Sequence, residues 1–283
     1  MSRNRISVAA LVALVLPLAV LQPVHAALTY PTRIISLSPS ATEDLFAIGA
    51  GKHVVAVDSL SNFPANAPIT KLDAFTPNVE AIAKYKPDLV ILQSSATKAA
   101  SVKSALEALK IKVFYEVTPN DIAGAYTEIA ALGKLTGRTT QAQKVISVMK
   151  SAIKVAIAKG HRSVALPIFH EVDSTLYSAT SKTFIGRVYA DFNTTNIADA
   201  ADTADSYGYP QLSNEYLIKA NPAAIFLGDE QTPAQVAARP GWKSIKAVSK
   251  KHVVVLPNDI PSRWGPRLVN FYQFVSSTLV AIK

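Results

Sequence analysis

The chain has 283 residues, a formal net charge of +9 at neutral pH and no cysteine. It therefore forms no disulfide and depends on its hydrophobic core, for which a chain of this length has room in two lobes. The lysines are scattered singly, without a basic run or an arginine-rich aromatic stretch, so nucleic acid is not a predicted partner.

A secretory signal is predicted over residues 1–26. Arg3 and Arg5 begin it, an almost unbroken apolar run from Val8 to Val20 follows, and residues 24–26 offer small side chains for cleavage after Ala26. The apolar run is too short to span a membrane comfortably. Because no cysteine stands at the junction to carry a lipid, we expect a periplasmic protein that is soluble and not lipid-anchored.

Residues 27–136 are predicted to form an amino-terminal α/β lobe. Short apolar strands alternate with helical segments there, which is typical of right-handed βαβ units and a parallel sheet. The predicted strands are 33–38, 54–57, 89–92 and 113–115.

Ligands of such sheets bind beyond the carboxyl ends of the strands, where helix amino termini expose free N–H groups. The sequence places Ser38, Pro39 and Ser40 at this edge, together with the aromatic ring of Phe63 in a polar loop. Ser40 and Glu43 also have the spacing of a capping box. Helix capping alone is therefore the alternative role for Ser38 and Ser40.

A long helix is predicted over residues 139–159, within an interlobe segment of residues 137–160. Apolar side chains recur there at the spacing of one helical face, and the lysines fall off that stripe. Gly160 follows, and glycine readily adopts the left-handed conformation that ends many helices. We interpret this helix, about 30 Å long, as a strut between two lobes. The alternative is an ordinary surface helix inside one domain.

Residues 161–283 repeat the α/β pattern and form the predicted carboxy-terminal lobe. Glu80 precedes Pro87 by seven residues and an apolar strand follows the proline; Glu215 and Pro222 repeat that arrangement. The predicted fold class is therefore α/β, with two Rossmann-like lobes that contain parallel sheets and are joined by one long interlobe helix.

Both glutamates are predicted in the first turn of a helix, after the capping residues Thr76 and Ser213. Taken singly, each is an ordinary partner of the helix dipole. The matched pair, Glu80 in one lobe and Glu215 in the other, suggests a docking contact with a roughly two-fold symmetric basic partner.

Several of these features resemble the helix-hinged substrate-binding proteins of ABC importers, which carry cobalamin, ferric siderophores or haem. The resemblance is carried by residues 33–43 (RIISLSPSATE), the paired Glu-x6-Pro elements, residues 209–213 (YPQLS) and the long interlobe helix, and it spans nearly the whole mature chain. The cobalamin-binding members are the most similar. Two positions depart from their pattern, with Tyr209 in place of a tryptophan and Phe75 near the expected position of another.

The resemblance implies a monomer without a cofactor of its own, whose interlobe cleft binds one small-molecule metal chelate, a cobalt or iron complex. It also implies that Glu80 and Glu215 form salt bridges to arginines on the two permease subunits of an ABC importer. Corrinoids are the favoured ligands, with ferric siderophores and haem as alternatives.

Planar or macrocyclic ligands need aromatic contacts and a few polar ones. The aromatic candidates are Phe63, Phe75, His170, Tyr177, Tyr207, Tyr209 and Trp264.

Two of the polar candidates have ordinary alternatives. Arg263 is a candidate partner for a ligand carboxylate or phosphate, or a plain surface arginine. His170 is a candidate axial ligand of iron or cobalt, or a hydrogen-bonding residue. No multi-histidine cluster suits a bare metal ion.

Two other kinds of function stay open in the sequence. An exported hydrolase would need a triad, for which Ser38, His170 and Asp259 are the imaginable members, but no Gly-x-Ser-x-Gly elbow is present. A stand-alone scavenger or sensor would need no permease, and the Glu80 and Glu215 pair argues against it. We therefore predict that the chain is not an enzyme.

Overall fold

A computed structural model describes residues 30–257 and 259–282. The predicted signal peptide lies outside these residues. In the described part the chain forms two separate parallel sheets with helices packed on them, which confirms the predicted α/β fold class. The exact lobe boundaries at residues 136 and 160 remain a prediction.

The first sheet has five parallel strands in the order β3-β2-β1-β4-β5. Its central strand β1 is fully buried: three of its four residues are apolar, and the fourth, Ser36, donates a hydrogen bond to the Ser38 carbonyl. The elements of this part are β1 (Ile34–Leu37), α1 (Pro39–Ala47), β2 (Val54–Asp58), β3 (Ile69–Leu72), α2 (Val79–Ala83), β4 (Leu89–Gln93), α3 (Ala99–Ala108), β5 (Lys112–Glu116) and α4 (Ile122–Leu135).

Helix α1 begins earlier than the sequence predicts. Ser38, not Ser40, is the N-cap, and its Oγ accepts a hydrogen bond from the Ala41 N–H at 3.2 Å. Pro39 occupies the first helical position, where its missing N–H leaves no donor unsatisfied. The predicted capping box of Ser40 and Glu43 is therefore wrong, and both side chains are free for contacts across the lobes.

Helix α5 (Thr139–Gly160) links the two sheets and packs against α4 of the first part. Gly160 is its last residue but does not take the predicted left-handed conformation: its φ is not positive, and the next residue, His161, has φ −59°. The glycine is instead required by packing: a Cβ on Gly160 would lie 2.7 Å from the Cα of Ser276.

The second sheet has four parallel strands in the order β7-β6-β8-β9. Residues 175–178, a stretch that the sequence also suggests as a short strand, form only two isolated bridges, Glu171 to Ser178 and Tyr177 to Gln211. The elements of this part are β6 (Leu166–Glu171), α6 (Phe184–Ala190), β7 (Thr194–Asn196), α7 (Asn214–Ala220), β8 (Ala224–Leu227), α8 (Pro233–Ala237), α9 (Lys246–Ser249), β9 (Val253–Val255) and α10 (Leu268–Ala281).

The sequence echo corresponds to a structural repeat. Helices α2 and α7 are each followed, before the next strand, by a residue with φ +48°. Lys86 lies shortly after α2 and Asn221 directly after α7, and a proline and then strand β4 or β8 follow each of them. Helix α10 packs along α5, so the interlobe helix contacts elements of both parts. In the described part of the chain, no helix combines the length and apolarity needed to cross a membrane.

Candidate functional site

The carboxyl end of the first sheet gathers polar side chains. Parallel pairing brings the ends of β1, β4 and β5 to one edge, with Ser38 directly after β1 and Glu116 at the end of β5. Besides capping α1, the Ser38 hydroxyl donates a hydrogen bond to Glu116 Oε1 at 2.9 Å. Ser38 is fully buried and therefore supports this edge rather than facing solvent.

The segment of residues 259–267, between β9 and α10, crosses to this edge, and we name it the crossing segment. Asn62 Nδ2 donates to Asp259 Oδ2 at 2.7 Å, and the Trp264 N–H donates to Ser40 Oγ at 3.2 Å. Hydrogen bonds from the start and the middle of the segment thus tie the carboxy-terminal part of the chain to the loop after β2 and to α1.

Arg267 ends the crossing segment with a charged contact. Its guanidinium pairs with Glu43 Oε1 at 2.5 Å and lies 4.3 Å from the centre of the Phe63 ring. Phe63 therefore stacks on an arginine of the protein itself. Together with Pro266 and Phe46 it lines a separate cavity of about 290 Å³.

Trp264 sits at the centre of the contact between the two parts. Its indole Nε1–H lies 2.9 Å from Glu128 Oε2 and 3.2 Å from Glu116 Oε1. Its ring meets the edge of Phe184 at a centroid distance of 6.5 Å. One indole therefore contacts α4 and β5 of the first part and α6 of the second.

A cluster of buried carboxyl groups lies behind Trp264. Burial raises the pKa of Asp44, with the charges of Glu116 and Glu43 adding to the effect. Burial also raises the pKa of Glu116, and burial followed by the charge of Glu116 raises that of Glu128 to about 11. Glu128 is therefore protonated at neutral pH, and this proton supplies a donor toward Glu116.

The largest cavity among those described, about 580 Å³, lies between the second sheet and the crossing segment and opens to solvent. Most of its wall comes from loops at the carboxyl ends of β6, β8 and β9, as expected for a parallel sheet. It is lined by Thr118, His170, Val172, Ala179, Phe184, Ile185, Tyr209, Gly228, Asp229, Glu230, Leu256, Pro257, Asp259, Pro261, Ser262 and Trp264.

His170 is the titratable ring in this wall. Its Nδ1 lies 3.0 Å from the hydroxyl of Tyr189, and burial lowers the pKa of the imidazole to about 4. The ring is therefore neutral at physiological pH. Since Nδ1 is engaged by Tyr189, Nε2 is the nitrogen left for a ligand, and within the described residues it has no hydrogen-bond partner.

The charged groups of the cavity are acidic. Asp229 and Glu230 follow β8, and Asp259 begins the crossing segment. Among the described residues that line the cavity, none is a lysine or an arginine. Such a wall favours neutral or cationic ligands that donate hydrogen bonds, and disfavours anionic ones.

The structure brings together only part of the predicted ligand-binding set. His170, Tyr209 and Trp264 line the cavity. Ser38 and Ser40 do not, because they are buried under the crossing segment. Pro39 is likewise buried, as the first residue of α1.

The remaining predicted ligand residues also lie outside the cavity wall. The ring of Phe63 is occupied by Arg267, and Phe75 and Tyr207 are exposed. Tyr177 is bridged to Gln211. Arg263 is turned toward the first sheet, where its Nη2 donates to the Leu60 carbonyl at 3.4 Å.

Several cavity residues were missed by the sequence reasoning. Asp229 and Glu230 follow strand β8 after Gly228, so the carboxyl-end rule that selected Ser38 also applies to them. Phe184, the first residue of α6, was not among the predicted aromatic candidates. Thr118 and Ser262 come from loops without a local signal.

The predicted docking residues are placed as expected in secondary structure. Glu80 and Glu215 are exposed and lie in the first turns of α2 and α7. Ser213 caps α7 as predicted, whereas Asn78 rather than Thr76 caps α2. No ion pair involves either glutamate within the described part of the chain, so both carboxylates are available to a partner.

The imagined catalytic triad is not assembled. Ser38 donates to Glu116, His170 pairs with Tyr189, and Asp259 accepts from Asn62. Among the described residues, no group of three or more histidine, aspartate or glutamate side chains has metal-binding geometry. Each side chain of the imagined triad is instead held by a hydrogen bond to a different residue.

Two α/β units joined by a long helix, with a cavity beside the segment that crosses between them, define a two-lobed binding protein. The sequence model of the periplasmic binding protein family matches residues 34–260. The chain therefore belongs to this family. The resemblance to helix-hinged substrate-binding proteins of ABC importers is confirmed.

Individual relatives are similar over most of their length. An uncharacterized ABC transporter substrate-binding lipoprotein, YvrC from Bacillus subtilis, is 31% identical over 248 residues, which is 84% of this chain and 77% of the relative. A vitamin B12-binding protein from Pectobacterium carotovorum is 27% identical over 270 residues, 91% of each chain. These relatives are named for binding and transport, not for catalysis.

Solved structures share the fold. A possible iron-binding periplasmic solute-binding protein from Staphylococcus epidermidis has a TM-score of 0.77 at 26% identity, covering 88% of this chain and 99% of its own. The periplasmic haem-binding protein BhuT, in complex with two haems, has a TM-score of 0.79 at 18% identity, covering 90% and 99%. The second likeness concerns the fold alone.

One prediction is corrected by these comparisons. We expected a free periplasmic protein without a lipid anchor, but the Bacillus subtilis relative is named a lipoprotein. The expectation rested on the absence of cysteine, which bears only on a lipid attached through that residue. The prediction of a freely soluble, unanchored protein is therefore wrong.

Proposed function

We propose that the chain is the substrate-binding protein of an ABC importer and that it captures a metal-chelate nutrient, a corrinoid by preference. The Pectobacterium relative, similar over 91% of both chains, is named a vitamin B12-binding protein. The family and fold support capture by a two-lobed protein. The choice of ligand depends on the chemistry of the cavity wall.

The observation that carries the choice of ligand is the acidic lining. Asp229 and Glu230 offer acceptors to a ligand, whereas Asp259 already accepts from Asn62 and lies 3.8 Å from the Arg263 guanidinium. The periphery of a corrinoid is rich in amide N–H donors. Haem and ferric catecholates carry negative charge toward a binding site. They would meet these carboxylates without a lining lysine or arginine among the described residues to offset the repulsion.

Aromatic rings supply the apolar part of the proposed site. Phe184, Tyr209 and Trp264 line the same cavity, and such rings contribute large contact areas to flat macrocycles. Because the cavity of about 580 Å³ opens to solvent, it covers part of a bulky ligand and leaves the rest outside.

His170 provides a neutral imidazole in this wall. We assign it the role of an axial base toward the metal of the bound chelate, since Tyr189 fixes Nδ1 and Nε2 keeps no protein partner among the described residues. Its low pKa keeps the imidazole neutral at any pH above about 4, and Nε2 is free to coordinate in the tautomer that carries the proton on Nδ1, with the Tyr189 oxygen accepting it.

Delivery to the permease is assigned to Glu80 and Glu215. Both are exposed, unpaired within the described residues, and placed at equivalent helix starts by the structural repeat. Exposed charge pairs at such a contact contribute orientation and association rate more than affinity.

A ferric hydroxamate is the second candidate ligand. The Staphylococcus epidermidis structure, at 26% identity, is described as possibly iron-binding. Hydroxamate complexes of iron are neutral or cationic, so the acidic lining accepts them as readily as a corrinoid. Only direct comparison separates the two.

Calorimetry tests the proposal, with the purified chain from residue 27 titrated with cyanocobalamin, a ferric hydroxamate, a ferric catecholate and haemin. We expect one-to-one binding of cyanocobalamin, weakened about tenfold in Asp229→Asn/Glu230→Gln because charged acceptors form the stronger hydrogen bonds. Glu107→Gln, an exposed glutamate on α3 away from the cavity, is the control and leaves binding unchanged. Binding of haemin with no response to cyanocobalamin would overturn the corrinoid assignment.

A further inference from the structure

The exposed side of α5 carries an unusual charge pattern. The helix has 22 residues and no aspartate or glutamate, while Lys144, Lys150, Lys154 and Lys159 are all exposed. Within the described part of the chain, no ion pair involves these lysines. Four positive charges are therefore presented to solvent along one helix.

The helices on either side add no exposed acid to this surface. Helix α10 has no charged residue, and the one acidic residue inside α4, Glu128, is buried. The nearest acids lie at the margin: Asp121 caps α4, and Asp191 accepts a hydrogen bond from the Tyr272 hydroxyl at 2.6 Å. We name the exposed side of α5, with its α4 and α10 flanks, the α5 face.

Apolar side chains lie between the lysines. Val148 is 61% exposed and Val155 66% exposed, and seven residues, about two turns, separate them on the same side of the helix. On the neighbouring helix α10, Val280 is exposed as well. Surface helices usually have polar residues at such exposed positions. This side of α5 instead combines exposed apolar side chains with cationic ones.

A groove on the α5 face combines the same two properties. It measures about 420 Å³ and is lined mainly by apolar atoms, with Lys150 and Lys154 among its walls. The Lys150 Nζ lies 5.1 Å from the centre of the Tyr126 ring. The complete lining is Tyr126, Lys150, Ile153, Lys154, Ile157, Ala158 and His161.

We propose that the α5 face docks on a bilayer that contains anionic phospholipids. The lysines meet the phosphates, the alkyl stems of Lys150 and Lys154 lie along the apolar groove, and Val148 and Val155 enter the interfacial region. An amphipathic cationic surface fits this partner better than nucleic acid, because exposed valines and an apolar groove add nothing to a phosphate backbone. The inference stands on α5 and its neighbours and does not depend on the ligand of the cavity.

Vesicle co-sedimentation tests the proposal with the purified chain from residue 27. Vesicles of phosphatidylcholine with phosphatidylglycerol are compared with phosphatidylcholine alone, at low and high salt. We expect binding to the anionic vesicles only, and loss of that binding at high salt. Each lysine near an anionic surface contributes about fivefold to the partition. Lys144→Glu/Lys150→Glu/Lys154→Glu is therefore expected to bind at least about a hundredfold more weakly.

A matched control makes the same change of charge elsewhere. Lys243→Glu/Lys246→Glu/Lys250→Glu reverses three exposed lysines around α9 and is expected to keep most of the binding. If the α5 variant unfolds, which circular dichroism reveals, the milder Lys144→Gln/Lys150→Gln/Lys154→Gln takes its place. Equal loss in both sets, or wild-type binding that ignores lipid charge and salt, would overturn the proposal.

Discussion

The indole Nε1–H of Trp264 donates a hydrogen bond to Glu128 Oε2 at 2.9 Å, and these two residues are 136 positions apart in the chain. Trp264 belongs to the crossing segment, and Glu128 to a helix of the first part. Because Trp264 also lines the large cavity, this hydrogen bond connects the cavity wall to the cluster of buried carboxyl groups. Substitutions or changes of protonation in that cluster are therefore expected to alter both the free energy of unfolding and the affinity for ligand.

The protonation of Glu128 predicts how stability depends on pH. Burial, followed by the charge of Glu116, raises its pKa from 4.5 to about 11 in the folded protein. A group with a raised folded pKa contributes stability that is fully present below pH 4.5 and is lost as pH rises toward 11. We expect the urea midpoint to be lower at pH 9 than at pH 5, with most of the fall above pH 6.5, because the lowered pKa of His170 works in the opposite direction below that pH.

Glu128→Gln provides the matched test of that dependence. Glutamine keeps an oxygen that accepts from Trp264 but does not ionise, so the fall in the urea midpoint from pH 5 to pH 9 should be visibly smaller. Glu107→Gln, an exposed substitution of the same kind, should leave the pH profile unchanged. A wild-type protein whose stability rises over this range would show that Glu128 is not held protonated.

The ion pair of Glu171 and Arg239 predicts a large loss of stability on truncation. The two Nη atoms of Arg239 donate to the two carboxylate oxygens at 2.6 and 2.7 Å, and the Glu171 side chain is fully buried. Arg239→Ala leaves that charge unpaired, which costs about 3–5 kcal/mol in the free energy of unfolding. Urea denaturation measures it, and a loss below about 1 kcal/mol would contradict the assigned role.

Gly160 predicts a packing effect at the contact between α5 and α10. The methyl group of Gly160→Ala would lie 2.7 Å from the Ser276 Cα, so the helices must move apart at a cost of about 1–3 kcal/mol. Ser151→Ala, an exposed substitution on the same helix, serves as the control and should be nearly neutral. Thermal unfolding of both variants decides the point, since helix propensity alone would make Gly160→Ala stabilising.

Reversing the charge of the two docking glutamates is predicted to impair transport without changing ligand binding. Glu80→Lys/Glu215→Lys should abolish uptake in cells that depend on this protein, while calorimetry shows unchanged ligand affinity. The reason is that both side chains lie on helix starts outside the cavity wall. Glu107→Lys controls for the change of charge. Normal uptake in the double variant would remove the two glutamates from the docking contact.

The sequence predicted those parts of the fold that depend on local patterns. The apolar strands, the first-turn positions of Glu80 and Glu215, and the helix from Thr139 follow from periodicity and capping chemistry. Strand β3 was missed because its residues, ITKL, are mostly exposed and half polar. Helix α4 was missed because glycines interrupt it, yet Gly133 is needed there: a Cβ would lie within 3 Å of Ala142 on α5.

The site was less predictable because the crossing segment builds much of it. Nothing local in residues 259–267 shows that Trp264 meets Glu128, or that Arg267 covers Phe63. Exposed aromatic residues in loops were useful candidates for ligand binding only where the fold brings the loop to the cavity, as it does for Tyr209. The acidic lining, which now directs the choice of ligand, required the three-dimensional position of Asp259 beside the loop after β8.

The most direct test is a titration of tryptophan fluorescence with cyanocobalamin. Trp242 is fully buried and Trp264 lines the cavity, so ligand quenching should come from Trp264 alone. We predict saturable one-to-one quenching that disappears in Trp264→Phe, while calorimetry still detects binding in that variant. If neither fluorescence nor calorimetry responds to cyanocobalamin or to any ferric chelate, the claim that this cavity captures a metal chelate is contradicted.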